Sequence, residues 1–458
     1  VTALPGSPAV TGLTAEKHAA TQNACRLCTP LGASLAFKGI ERTVPLLHGS
    51  QGCATYIRRY LISHFREPVD IASSSFSEAT AVFGGEQNLK RAIENVLSQY
   101  RPAVVGIATT CLSETIGDDV SLFLAGFRRG RPELPPLVHV STPAYRGSHV
   151  DGYRDAVTAV LKTLAEPGPR GDEVALIPSM VSPADLRYLR GLGGRVGVRL
   201  VLLPDHADTL DGPFWPEYQV LPPGGTPLSE VRALGGARAC LQLGRSLDQG
   251  DSPGRYLAEA FGVQSTALEL PVGVVATDRF LEALEGLGGS RPEELTAERG
   301  RVLDAYADAH KYLFGCRVAL YGEPDLVTAL AGFACEVGLE PVVCATGSRG
   351  HQLGDRLRAV APTLPASCRV LEDADFADIE SAVERERPHL LLGNSKGFKT
   401  ARRLCLPLIR VGFPIHDRFG SQRVRMLGYD GTLELLDRVV NVILERRQSE
   451  SRVGYTYF

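Results

Sequence analysis

Residues 317–345 read RVALYGEPDLVTALAGFACEVGLEPVVCA, and they decide the fold class. Arg317–Tyr321 is a short apolar run of strand type, Pro324–Val337 reads as a helix, and Pro341–Ala345 is the next strand. A strand, a helix and a strand in that order make a parallel pair with a right-handed crossover. Downstream, His389–Leu392 and Leu408–Val411 supply further strands. The closing helix carries Leu433, Leu436, Val440 and Ile443 at helical spacing.

Upstream, short apolar runs keep alternating with helical patterns, the signature of α/β units around parallel sheets. Pro102–Cys111 and Pro136–Thr142 read as strands, followed by a helix over Tyr153–Ala165 with Val157, Val160, Leu161 and Leu164 on one face. Glu166–Asp172 (EPGPRGD) is rich in Pro and Gly and marks a boundary. Beyond it come the strand Glu173–Ile177, a helix near Pro183–Gly191, the strand Val196–Leu203, a loop-rich Pro222–Gly236 and the strand Val272–Thr277. Ser290 and Glu293 predict a capping box opening a long helix to about Phe314. A chain of 458 residues has room for about three domains. The expected division is 1–167, 168–315 and 316–458.

The net charge is −3 with both signs interspersed, so nothing points to a nucleic-acid or membrane partner. Val1–Ala20 lacks the pattern of a secretory signal, and no apolar run reaches the ~18 residues of a membrane span, so a cytoplasmic location is expected. No GxxxxGK[ST] phosphate loop or HExxH occurs. Gly191–Gly197 (GLGGRVG) has the wrong spacing for a dinucleotide fingerprint and reads as a plain turn. Asn394–Gly397 (NSKG) reads as a sharp turn between strand and helix rather than an anion cradle.

Ten cysteines remain to be explained. In a reducing compartment each is a buried small hydrophobe or a metal ligand rather than half of a disulfide. Three segments stand apart: NACRLCTPLGA (23–33), PLLHGSQGC (45–53) and ATTCLSETIGDD (108–119). Each sets a cysteine at the end of a structural element, beside Gly, Ser or Thr. Cys28, Cys53 and Cys111 are the candidate ligands. Iron–sulfur clusters take thiolates, and backbone N–H groups in Gly-rich turns offset their charge. Gly49 and Gly52 fit a close approach at Cys53, and Cys111 follows a strand at the carboxyl end where α/β folds place sites. Three is an odd count for a cluster usually held by four thiolates, which points to sharing with another chain. Core packing of all three, and a Cys25–Cys28 redox pair, are the competing readings. His48 is placed to order the Cys53 loop by a hydrogen bond, His64 reads as surface or interface, and His149 and His416 have no metal-like partner nearby in sequence.

HGSQGC (48–53), HFREP (64–68), AVFGG (81–85), TTCLSETIGDD (109–119), STPAYRGSHVDGY (141–153), GNS (393–395) and VGFPIHDR (411–418) together resemble the beta-type subunits of the nitrogenase component 1 superfamily. The resemblance runs from about Asn23 to Leu444. It implies three Rossmann-like domains, an alpha-type partner in an α2β2 heterotetramer, and an ATP-dependent iron protein that docks and delivers electrons. It implies a cluster shared between the two chains and a substrate-reducing iron–sulfur cofactor in the alpha chain, with no catalytic residue in this one.

Within the superfamily, catalytic beta chains give three cysteines to an 8Fe-7S P-cluster, at positions matching Cys28, Cys53 and Cys111. Beta chains of the iron-molybdenum cofactor assembly scaffold typically keep only the HGSQGC cysteine and share a 4Fe-4S cluster. The presence of all three favours the reductase, acting on N2 or, as in the similar methylthio-alkane reductases, on a C–S bond. Cys25 has no counterpart and is taken as a non-ligand. The resemblance further implies electron-transfer roles for Tyr56, between cluster and cofactor, and Phe83, near the docking face, with core packing as the plainer alternative. Ala144 stands where the molybdenum-iron beta chains have a serine able to ligate the oxidised cluster.

Overall fold

The computed structural model describes residues 23–62, 67–248 and 250–453. Three parallel sheets follow one another along the chain. The first holds β1 (Thr43–His48), β2 (Ala72–Ser73), β3 (Val104–Thr109) and β4 (Leu137–Val140) in the order β2-β1-β3-β4. The second holds β5 (Val174–Ile177), β6 (Leu200–Leu202), β7 (Ala239–Leu243) and β8 (Ser265–Leu268) in the order β6-β5-β7-β8. The third holds β9 (Arg317–Gly322), β10 (Glu340–Thr346), β11 (Arg369–Leu371), β12 (Leu390–Gly393) and β13 (Leu408–Arg410) in the order β11-β10-β9-β12-β13. Helices flank all three, as the alternating pattern requires. Strands β1, β3, β5 and β7 are buried at every position, which is why they read as unbroken apolar runs rather than as alternation.

Strand order reverses between β1 and β3, between β5 and β7, and between β9 and β12. At such a reversal the loops leaving the strand ends diverge and open a crevice. Apolar packing crosses from one sheet to the next: one core joins residues of the first and second sheets, another those of the second and third.

The helix Thr29–Lys38 is buried along its whole length. It packs on the helix His149–Leu164 at two glycines. A Cβ on Gly32 would lie 1.7 Å from the His149 carbonyl oxygen, and one on Gly152 would lie 2.0 Å from that of Thr29. Only glycine permits this approach. His149–Leu164 itself starts four residues before the expected Tyr153, because Ser148 and Asp151 form a capping box.

Several expectations for the middle block are overturned. The stretch Gly191–Gly197 is not a turn but the second half of the helix Pro183–Val196, with Gly197 at φ +78° ending it. Gly193 is there for proximity, since a Cβ would meet Leu200 Cγ at 2.7 Å. The expected strand from Val196 shrinks to β6 accordingly. Val272–Thr277 is no strand: Val274–Gly286 is a helix that buries Val274, Thr277, Leu281 and Leu284 at helical spacing, and β8 closes the sheet instead. The loop-rich Pro222–Gly236 contains a short helix, Leu228–Ala233. The helix Glu293–Leu313 begins after Pro292 without a side-chain cap, and the Ser290 amide bonds to the Val196 carbonyl at 2.9 Å. Among the described residues no helix is long and apolar enough to cross a membrane.

Candidate functional site

The crevice between β1 and β3 gathers three of the motifs. From β1 the chain passes through His48, Gly49 and Ser50 into the helix Gln51–Ile62, and from β3 through Thr110 into the helix Cys111–Thr115. The two exits are tied, since the Thr110 amide and hydroxyl both donate to the His48 carbonyl, each at 3.1 Å. Gly49 has φ +155°, and a Cβ there would lie 1.9 Å from Thr110 Oγ1. Gly52 differs from expectation: a Cβ would meet nothing nearer than Ser50 Oγ at 3.7 Å, so within this chain nothing crowds it.

His48 is fully buried and does order the turn, through Ser74. Ser74 Oγ accepts from the Gly49 amide at 2.9 Å and lies 3.1 Å from His48 Nδ1. With that hydroxyl spent on Nδ1, the imidazole proton sits on Nε2 and donates to Asp118 Oδ2 at 3.0 Å. Burial pushes the imidazole pKa down, consistent with this neutral form. Asp118 also accepts the Gly85 amide at 3.1 Å. HGSQGC, AVFGG and TTCLSETIGDD therefore converge on one buried His–Asp pair.

All three candidate thiols start helices. Cys28 is the N-cap of Thr29–Lys38, Cys53 is the third residue of Gln51–Ile62, and Cys111 is the first of Cys111–Thr115. Helix starts offer free N–H groups and the positive end of the dipole, both favourable to thiolate. The Ala144 amide donates to Cys111 Sγ at 3.3 Å, and the Leu31 amide acts on the Cys28 thiol. Ala144 thus supplies a backbone donor, with no hydroxyl beside it.

Cys28 and Cys53 are partly exposed and Cys111 is exposed. Burial pushes the Cys28 thiol up to about 11, and the charges of Cys53 and Cys111 add to the rise. Cys53 is raised by burial and then by Cys111. The three groups therefore repel one another once ionised, a cost that a bound cation reverses. Among the described residues no trio of His, Cys, Asp or Glu closes tightly enough to hold a single metal ion. Three thiols that share one field and remain open, two of them with aimed N–H donors, fit a multi-iron group completed from outside the chain.

Tyr56 lies one turn after Cys53, is 40% exposed, and stacks obliquely on Tyr60 with ring centroids 4.6 Å apart. Burial and the Tyr60 contact raise its hydroxyl pKa, and Cys28 adds to the rise. Phe83 ends the helix Glu78–Phe83 and is 88% exposed beside exposed Val82, so core packing does not account for it. Cys25 is buried in the core of the third sheet, with its thiol pushed up to about 12, whereas Cys28 packs on the core of the first. Their different surroundings leave the redox-pair reading without support. His64 falls outside the described residues.

Three residues have partners that the sequence reading did not reach. His149 pairs with Glu323 at 2.8 Å, and Lys396, from the turn NSKG, reaches back to the chain just before Cys28. The sequence signals were the turn for Lys396 and the motif STPAYRGSHVDGY for His149.

Residues 28–444 match the family model for nitrogenase component 1 type oxidoreductases. The chain is 36% identical to the nitrogenase molybdenum-iron protein beta chain of Clostridium pasteurianum, over 95% of this chain and 96% of that one. It is 33% identical to the Azotobacter vinelandii beta chain over 95% of this chain and 87% of that one. The solved structure of nitrogenase Cp1 at pH 6.5 superimposes with a TM-score of 0.92 at 35% identity, covering 97% of this chain and 98% of the other. On this evidence the chain belongs to the nitrogenase component 1 type oxidoreductases, as a beta-type subunit that acts within a multisubunit enzyme.

Proposed function

We propose that this chain is the beta subunit of a nitrogenase-like reductase, with Cys28, Cys53 and Cys111 holding one side of a P-cluster-type 8Fe-7S cluster and an alpha-type subunit holding the other. The observation that carries the reading is the convergence of three half-open thiols, each starting a helix, at the first sheet's crevice. A cluster bound there supplies reversible uptake and release of electrons. This chain's residues hold the thiolates and aim N–H groups at those of Cys28 and Cys111. Exposed Phe83 and Val82 suit the docking face of an ATP-dependent iron protein. Tyr56, one turn after Cys53 and half-exposed, is the electron-transfer residue of this reading, between the cluster and an iron–sulfur cofactor in the alpha chain. The substrate, N2 or a C–S bond, belongs to that chain's pocket, and the assembly is an α2β2 heterotetramer.

The test is iron analysis with Mössbauer spectroscopy on the complex purified anaerobically with its partner. An 8Fe-7S signature is the expected result. A 4Fe-4S signature in its place overturns the reductase reading and moves the chain to the cofactor-assembly scaffolds.

A further inference from the structure

The chain that delivers Cys28 is held by the third domain rather than by its own. Ala24 bridges to Asp375, and the Cys25 amide bonds to the Ala374 carbonyl at 3.3 Å. Lys396 Nζ donates to the carbonyls of Ala24 at 2.7 Å and Arg26 at 3.0 Å. A Cβ on Gly347 would lie 2.5 Å from the Cys25 carbonyl, so the two backbones are in direct contact.

The last residue before Cys28 is fixed differently. Leu27 exchanges both its backbone groups with His149: its amide donates to Nδ1 at 3.2 Å, and its carbonyl accepts from the His149 amide at 3.1 Å. A backbone amide can only donate, so Nδ1 carries the lone pair and Nε2 carries the proton. That proton points to Glu323 Oε1 at 2.8 Å. Glu323 directly follows β9 and precedes the helix Pro324–Glu336, and its carboxylate fixes both the tautomer and the plane of the ring. His149 is 1% exposed, so water has little access to its ring. It is also the first residue of the helix that packs on the Cys28 helix through Gly32 and Gly152. One imidazole thus locks the peptide before Cys28 while its own helix locks the helix after it.

We propose that His149, oriented by Glu323, is a positioning residue for the interfacial cluster: it sets the Leu27–Cys28 backbone, and with it the Cys28 thiolate, before iron is bound. This deepens the function proposed above and rests on it. No proton moves in this role. The ring is a fixed acceptor and donor between two domains.

The experiment uses the complex purified anaerobically with its partner, as wild type, His149→Phe and His149→Asn. Asparagine retains an acceptor where Nδ1 stood, and phenylalanine retains only the bulk. Hydrogen exchange of the peptide spanning residues 24–28 and the midpoint potential of the cluster are read on each, with iron content as control. In His149→Phe the exchange of that peptide rises roughly tenfold, as expected for one lost buried hydrogen bond, and the potential shifts. His149→Asn returns both toward wild type. Unchanged local exchange and potential in His149→Phe at full iron content overturn the proposal, and so does a loss of protection spread evenly along the chain with the potential unmoved. If His149→Phe does not assemble, Glu323→Ala is read in the same way at the same peptide, since it frees the ring that the proposal has Glu323 orient. Absence of any cluster from the wild type refutes the proposed function instead, and the exchange measurement still decides whether His149 holds the segment.

Discussion

In the first sheet the reversal of strand order lies between β1 and β3, and the chain leaving those strands carries Cys53 and Cys111. In the third sheet the reversal lies between β9 and β12, and the chain leaving those strands carries Glu323 and Lys396. The first crevice leaves its thiols partly open. The third turns its side chains inward, onto residues 24–27 and His149. One architecture thus yields a site beside one sheet and a clamp for that site beside another. Cys25 and Cys28 show the divide within a single turn of chain, one buried with the clamp and the other facing the site.

The largest effect separates ligand from clamp. Cys53→Ser weakens binding of the shared cluster by more than the ~10–100-fold typical of losing an outer-shell partner, so that cluster's share of the iron is lost, and it abolishes turnover. Cys25→Ser leaves iron content within twofold or so, because its thiol is spent on the third-sheet core. Both are read by iron analysis of the purified complex, and equal losses would erase the distinction between the two regions.

Next is the seam between helices. Gly152→Val drives a side chain into the Thr29 carbonyl, and the expected cost is about 3 kcal/mol, measured as a lowered urea midpoint. A smaller change would show that the Cys28 helix has slack.

A comparable but pH-dependent effect belongs to the hold of the helix Pro183–Val196 on the chain before the C-terminal helix. Asp185 is fully buried and accepts the amides of Met426 at 2.9 Å and Leu427 at 3.0 Å. Burial pushes its carboxyl up to about 6, from an ordinary 3.8. A group raised on folding contributes most below its unfolded pKa and loses that contribution as pH climbs through the folded one. Stability therefore falls by about 3 kcal/mol across that window from this residue alone. Asp185→Asn removes this slope in urea titrations between roughly pH 4 and 7.

The smallest effect on stability comes from Phe83→Ala. An exposed side chain leaves the urea midpoint within about 0.5 kcal/mol of wild type. Its expected cost is instead in docking, roughly tenfold in the apparent affinity for the iron protein, read from the concentration dependence of electron delivery.

Much of this was legible in the chain. The unit over residues 317–345 announces itself because buried parallel strands leave unbroken apolar runs. The three thiols stand out by their small polar neighbours, which the structure turns into helix starts. Val272–Thr277 misled because a β-branched run carries no period of its own, and packing made it helical. Gly191–Gly197 misled because glycine serves close contact as well as turns. The clamp was invisible: Leu27, His149, Glu323 and Lys396 are far apart in sequence, and only the stacking of domains brings them together.

The central claim is that Cys28, Cys53 and Cys111 bind one cluster together. The most direct test is an anomalous-difference map at the iron edge, from crystals of the anaerobically purified complex. The account predicts iron within bonding distance of all three Sγ atoms, with none at Cys25. Iron located elsewhere, with the three thiols free, would contradict it.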